Sequence, residues 1–79
     1  MSVTVRLFAA YREIVGSPEL SLPAEQARTV GELWGRLLAR YPELNRHAPS
    51  AAINARYAAL NDPIADGDEV AFLPPVSGG

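Results

Sequence analysis

Apolar positions along the chain follow two periods. From Ser2 to Phe8 they alternate, with Val3, Val5 and Leu7 pointing one way and Thr4, Arg6 and Phe8 the other. That is the period of a strand with one face on a core. From Val30 to Tyr41 the period lengthens. Val30, Leu33, Trp34, Leu37, Leu38 and Tyr41 recur at i, i+3, i+4, i+7, i+8 and i+11, one stripe of a helix. Thr29 and Glu32 have capping-box spacing at its start, and Pro42 ends it. Burying these six side chains contributes roughly 1.5–3 kcal/mol each before entropy is counted, enough to organise a small core. Gly31 and Gly35 weaken the helix by about 1 kcal/mol each relative to alanine and are expected to let it approach a sheet closely. Trp34 lies within the stripe and is read as core rather than as a ligand platform.

Shorter elements fill the rest. Ala9 to Val15 reads as a short helix closed by Gly16. Glu19 to Leu22 alternates between Pro18 and Pro23, an edge strand whose prolines guard it from unwanted pairing. Strand, short helix and strand make an elaborated β-hairpin. Glu43 to Pro49 is a polar connection with room for one helical turn, and it carries the only histidine, His47, read as a surface residue. Ala51 to Ile53 and Arg56 to Ala59 are alanine-rich strands around an Asn54-Ala55 turn. Leu60 to Pro63 is a loop, and Ile64 is expected to plug the core beneath it. The Asp66-Gly67-Asp68 turn opens a last strand in which Val70 and Phe72 face inward and Ala71 and Leu73 outward, until Pro74-Pro75 stop it. The order β, β, long helix, short strands gives an α+β domain, one amphipathic helix across one face of a mixed sheet, which is the β-grasp or ubiquitin-like roll.

Composition narrows the chemistry. At 79 residues the chain makes one small domain, expected over 1–75, with 76–79 as a tail. With no cysteine, disulfides, thiolate metal sites and a cysteine nucleophile are excluded together. All seven basic residues are arginine, so no side-chain ε-amine can form a Schiff base or an isopeptide with the chain's own end. A net charge of −2 and a pI near 5.2 give no electrostatic reason to expect nucleic acid or an anionic membrane. No basic leader and no apolar run of about 18 residues is present, which leads to the expectation of a cytoplasmic protein. Asp62, Asp66, Asp68 and Glu69 cluster without the spacing of a calcium loop, and turn chemistry accounts for the aspartates. No nucleophile and base pair stands out, so the chain is not expected to catalyse a reaction alone.

The last residues resist explanation by folding. Val76, Ser77, Gly78 and Gly79 have too little apolar surface to pack and are expected to project as a flexible peptide. Without Cβ atoms, two glycines make a thin backbone that can thread a narrow channel and present a carboxylate to another protein's active site. Pro74-Pro75 would keep the base of that tail extended. The competing reading is a frayed terminus that happens to end in glycine. Phe8 also admits two readings: the strand has already ended and the ring folds under the next turn, or the ring is a docking residue. With Leu73 and Tyr57 it would form an exposed apolar patch beside the tail.

Asp66-Gly67-Asp68-Glu69-Val70-Ala71-Phe72, then Pro74-Pro75-Val76 and Gly78-Gly79, is the most specific run. Together with Leu7-Phe8-Ala9, Arg12-Glu13, Val15-Gly16 and Ile53-Asn54, it resembles the small subunit of molybdopterin synthase, the MoaD family of ubiquitin-like sulfur carriers, over the whole chain. Leu73, often aromatic in that family, and Ser77, often threonine, depart from it while keeping side-chain character. The resemblance implies that an activating enzyme uses ATP to adenylate the Gly79 carboxylate and that a persulfide donor leaves a thiocarboxylate there. The tail then enters the large synthase subunit and gives sulfur to cyclic pyranopterin monophosphate. It implies clearance at Gly78, tail positioning by Pro74, Pro75, Val76 and Ser77, and docking through Phe8, Tyr57 and Leu73, with Arg12 a candidate polar contact. It also implies a heterotetramer of two small and two large subunits, and no cofactor held by this chain. Other pathways remain open: a carrier for thiazole synthesis, tRNA thiolation or cysteine synthesis, a ubiquitin-like modifier of lysines, or an adaptor indifferent to its terminus.

Overall fold

The computed structural model describes residues 2–45 and 48–74. The expectations for His47, for Pro75, Val76, Ser77, Gly78 and Gly79, and for a boundary between 75 and 76 lie outside them.

Among the described residues, five strands and two helices follow in the order β1 Ser2–Leu7, α1 Ala9–Val15, β2 Glu19–Pro23, α2 Val30–Arg40, β3 Ser50–Ile53, β4 Arg56–Ala58 and β5 Glu69–Leu73. Single 3-10 turns occupy Ala24–Gln26 and Pro42–Leu44. The sheet order is β2-β1-β5-β3-β4. The first and last strands run parallel at its centre, with Val5 opposite Val70 and Leu7 opposite Phe72. The other pairings are antiparallel, β1 with β2 and β3 with both β4 and β5.

Alternation in the sequence is realised as two faces. Val3, Val5, Leu7, Ala51, Val70 and Phe72 are buried and meet Val30, Leu33, Trp34 and Leu37 of α2. Trp34 sits between two aromatic neighbours, its ring centroid 5.1 Å from Tyr11 and 4.8 Å from Phe72, both tilted as their quadrupoles prefer. Leu38 and Tyr41, expected to be buried with the rest of the stripe, are only half-buried and pack at its margin. Ile64 packs against the core from its loop, as expected.

Helix α2 begins with every early N–H satisfied. Val30 N–H donates to the Asp62 carbonyl at 3.1 Å and Gly31 N–H to the Leu60 carbonyl at 2.7 Å. Glu32 N–H donates to Thr29 Oγ1 at 3.1 Å, and Leu33 N–H to the Thr29 carbonyl at 3.0 Å. The return half of the capping box differs from the expected one: Glu32 Oε1 accepts from Arg28 N–H at 2.8 Å, one residue before the cap. The glycines of α2 also serve differently from the expectation of close approach to the sheet. A Cβ at Gly31 would stand 3.1 Å from the Leu60 carbonyl oxygen, so the close approach is to the Leu60 loop, and Gly35 has open space around it. One residue of the polar connection, Leu44, is fully buried, because the 3-10 turn after Pro42 folds it back onto the core.

Candidate docking face

The face of the sheet away from α2 divides into a polar and an apolar half. On the polar side Arg6 bonds through Nε to Glu69 Oε2 at 2.8 Å and lies 3.7 Å from Glu19 Oε1, so its charge is answered within its own face. On the apolar side Phe8, Ala52, Ala55, Tyr57, Ala71 and Leu73 line a cavity of about 270 Å³, open to solvent.

Each wall has a local origin. β1 ends at Leu7, and Phe8 becomes the residue before α1, with φ −124° and ψ 154°. The strand has thus ended before Phe8, as one reading held, but the residue is 42% exposed rather than folded under the next turn. Gly16 closes α1 in the left-handed region at φ 85°, its N–H donating to the Arg12 carbonyl at 2.8 Å. Ala52 pairs with Tyr57 across β3 and β4 and with Ala71 across β3 and β5, so strand register gathers all three on the open face. Tyr57 is 90% exposed, a degree of exposure that core packing does not explain for an aromatic side chain. Leu73 closes β5 at the cavity, and the chain passes from it into Pro74, the final described residue, which is half-buried.

The expected grouping of Phe8, Tyr57 and Leu73 therefore holds. Arg12 is exposed on α1 and does not line the cavity, so the structure does not bring it into that group. The three alanines complete the walls. Ala71 was legible as outward-facing from the alternation of β5, whereas Ala52 and Ala55 needed the pairing register, which no sequence period reveals.

A hydrogen-bonded turn joins the loop at Asn54 to the loop at Asp68. Asn54 Nδ2 donates to Asp68 Oδ1 at 3.0 Å, Asn54 Oδ1 accepts from Glu69 N–H at 2.9 Å, and Asn54 N–H donates to the Glu69 carbonyl at 2.8 Å. The other Asp68 oxygen accepts from Ala65 N–H at 2.8 Å, and Asp62 Oδ2 from Ala59 N–H at 2.9 Å. Asp62 and Asp68 thus do turn chemistry, and among the described residues no group of three or more His, Cys, Asp or Glu is placed to hold a metal ion. No helix among them is long and apolar enough to cross a membrane.

A model of the ThiS family matches residues 5–79. The chain belongs to that family. The molybdopterin synthase sulfur carrier subunit of Mycobacterium tuberculosis is 37% identical over 82 residues, covering all of this chain and 99% of the relative. Small archaeal modifier protein 1 (SAMP1) of Haloferax volcanii has a crystal structure that superposes with a TM-score of 0.82 at 31% identity, covering both chains completely. Subunits 1 and 2 of the molybdopterin-converting factor of Helicobacter pylori form a complex, one chain of which superposes at a TM-score of 0.66 and 29% identity over the whole of both chains. The ubiquitin-like β-grasp fold expected from the sequence, and the resemblance to molybdopterin synthase small subunits, are both shown by this set. In this ThiS-family chain the apolar half-face occupies the end of the sheet from which the chain runs to Gly78-Gly79.

Proposed function

We propose that this ThiS-family chain is the sulfur carrier subunit of a molybdopterin synthase, with the cavity at Phe8, Tyr57 and Leu73 as the surface the large subunit grips. The observation that carries the reading is position. An apolar opening on the face of the sheet away from α2 lies at the end of β5, immediately before Pro74-Pro75-Val76 and the diglycine, in a chain similar along its length to named sulfur carriers.

The chemistry follows from what a carboxylate lacks. It is a poor electrophile, so an activating enzyme joins the Gly79 carboxylate to the AMP portion of ATP with release of pyrophosphate. The outer sulfur of a persulfide donor attacks the acyl carbon and expels AMP, and a thiol of the donor then cleaves the resulting acyl disulfide, forming a disulfide on the donor and leaving a thiocarboxylate, a good nucleophile at neutral pH. Within the large subunit that sulfur attacks cyclic pyranopterin monophosphate, water hydrolyses the thioester so formed and returns the Gly79 carboxylate, and two such transfers make the dithiolene. In this scheme Gly79 carries the reacting atom, Gly78 gives clearance, and Pro74, Pro75, Val76 and Ser77 position the tail. Large and small subunits assemble two and two. The small subunit binds no cofactor of its own and works in the cytoplasm.

Reconstitution tests the reading. Thiocarboxylated protein mixed with the large subunit and pyranopterin precursor should yield molybdopterin, and Phe8→Ala should weaken association of the subunits, measured by titration calorimetry. No product from the complete mixture would overturn the proposal. Similarity to the small archaeal modifier protein supports a second reading, attachment of Gly79 to lysines of other proteins. Covalent conjugates recovered from cells would favour it. A C-terminal mass increase of about 16 Da, sulfur for oxygen, favours the carrier.

A further inference from the structure

Three described residues other than glycine have positive φ: Ala9 at 51°, Asn54 at 49° and Ala55 at 71°. One of them, Ala55, lines the cavity, and the other two are chain neighbours of lining residues. Ala9 follows Phe8 in the chain, and Asn54 precedes Ala55, which lines the wall. Asparagine tolerates this region through its short polar side chain, but a Cβ is sterically penalised there, and two-residue hairpin turns strongly prefer glycine at the second position. Ala55 breaks that preference. Nothing lies in the core behind it to reward a methyl, since the residue is exposed. What it does border is the cavity, on a turn pinned to the start of β5 by the side-chain bonds of Asn54 to Asp68 and Glu69. Strained backbone that persists around a concave surface is a sign of function there.

We infer that Ala55 is a docking residue for the large synthase subunit, its methyl held in the cavity wall at the expense of turn geometry and aimed by the Asn54 bonds to β5. The inference rests on the cavity being the docking surface, as proposed above. Glycine in place of Ala55 relieves the backbone and deletes the contact, so stability and affinity are expected to part company.

The experiment measures thermal unfolding of the free chain and calorimetric affinity for the purified large subunit. Ala55→Gly should leave Tm unchanged or raise it by up to about 5 °C, and weaken association about fourfold, the value of one buried methyl-sized group. Ala55→Asn suits a left-handed turn but puts an amide into the wall, and it should weaken association at least as much. Restoration of full affinity by asparagine would overturn the inference, because a loosened turn would then explain the glycine result. A fall in Tm alongside affinity in Ala55→Gly would also overturn it, placing the methyl's role in folding. Tyr57→Ala separates the two levels: if it weakens association and Ala55→Gly does not, Ala55 alone is misassigned, and if neither does, the cavity is not the docking surface.

Discussion

Tyr11 buries its ring at 2% exposure against Trp34, and its hydroxyl oxygen has no hydrogen-bond partner among the described residues. A donor and acceptor taken out of water without compensation destabilises the fold, so Tyr11→Phe should raise stability by about 1 kcal/mol, or roughly 4–8 °C in Tm for a domain of this size. The same burial raises the Tyr11 pKa above its ordinary 10.0, because desolvation disfavours the phenolate. The sign of the linked pH effect follows. Below pH 10 both folded and unfolded chains keep the proton, and as pH rises past 10.0 the unfolded chain loses it first, which favours unfolding. Stability should therefore fall with pH above that value, and the fall should be shallower in Tyr11→Phe when both proteins are melted across the alkaline range. An unchanged slope would mean that the phenol ionises as readily folded as unfolded. Residue by residue, side-chain facing was the legible part. Two-residue alternation placed Phe72 in the core and Leu73 outside it, but an unpaired hydroxyl on a buried aromatic ring leaves no trace in a hydropathy pattern.

At the scale of elements, α2 shows where local signals suffice and where tertiary neighbours decide. Its start at Thr29, its stop before Pro42 and its apolar stripe were all readable, because capping and periodicity act within a few residues. The role of its glycines was not, since that depends on a loop about thirty residues further along. Gly35 is an exposed helix-interior glycine with open space where a methyl would stand, so Gly35→Ala should stabilise by about 0.5–1 kcal/mol. At Gly31 the same propensity gain meets the Leu60 carbonyl at 3.1 Å, the acceptor that also holds the Gly31 N–H. Gly31→Ala should therefore gain nothing or lose stability as the loop is pushed away and two helix-capping bonds are strained. Chemical denaturation of the pair checks both, and equal gains would show that the loop yields without cost. Leu44 was missed for a related reason. One apolar residue in a polar connection has no period, and only the return of the 3-10 turn onto the core shows its use.

For the whole molecule, topology fixes where the chain leaves the core. Parallel pairing of β1 with β5 places the last strand at the centre of the sheet, with Val70 and Phe72 fully buried. The chain therefore passes from a central strand to Pro74 beside the cavity, and among the described residues every member of the buried core cluster lies at or before Phe72. The ordering of elements made this roll legible in the sequence, whereas the meeting of β3, β4 and β5 at one cavity depends on register between distant segments. If Gly79 serves only to carry the reacting carboxylate, its deletion removes none of the described core contacts, hydrogen bonds or ion pairs. Deletion of Gly79 should then change unfolding free energy by less than about 0.5 kcal/mol, yet abolish both thiocarboxylate formation, read by mass spectrometry, and molybdopterin production in the reconstituted mixture. A truncated chain that melts far below the full one would show that its last residue supports the fold, and one that still yields molybdopterin would place the reactive sulfur elsewhere.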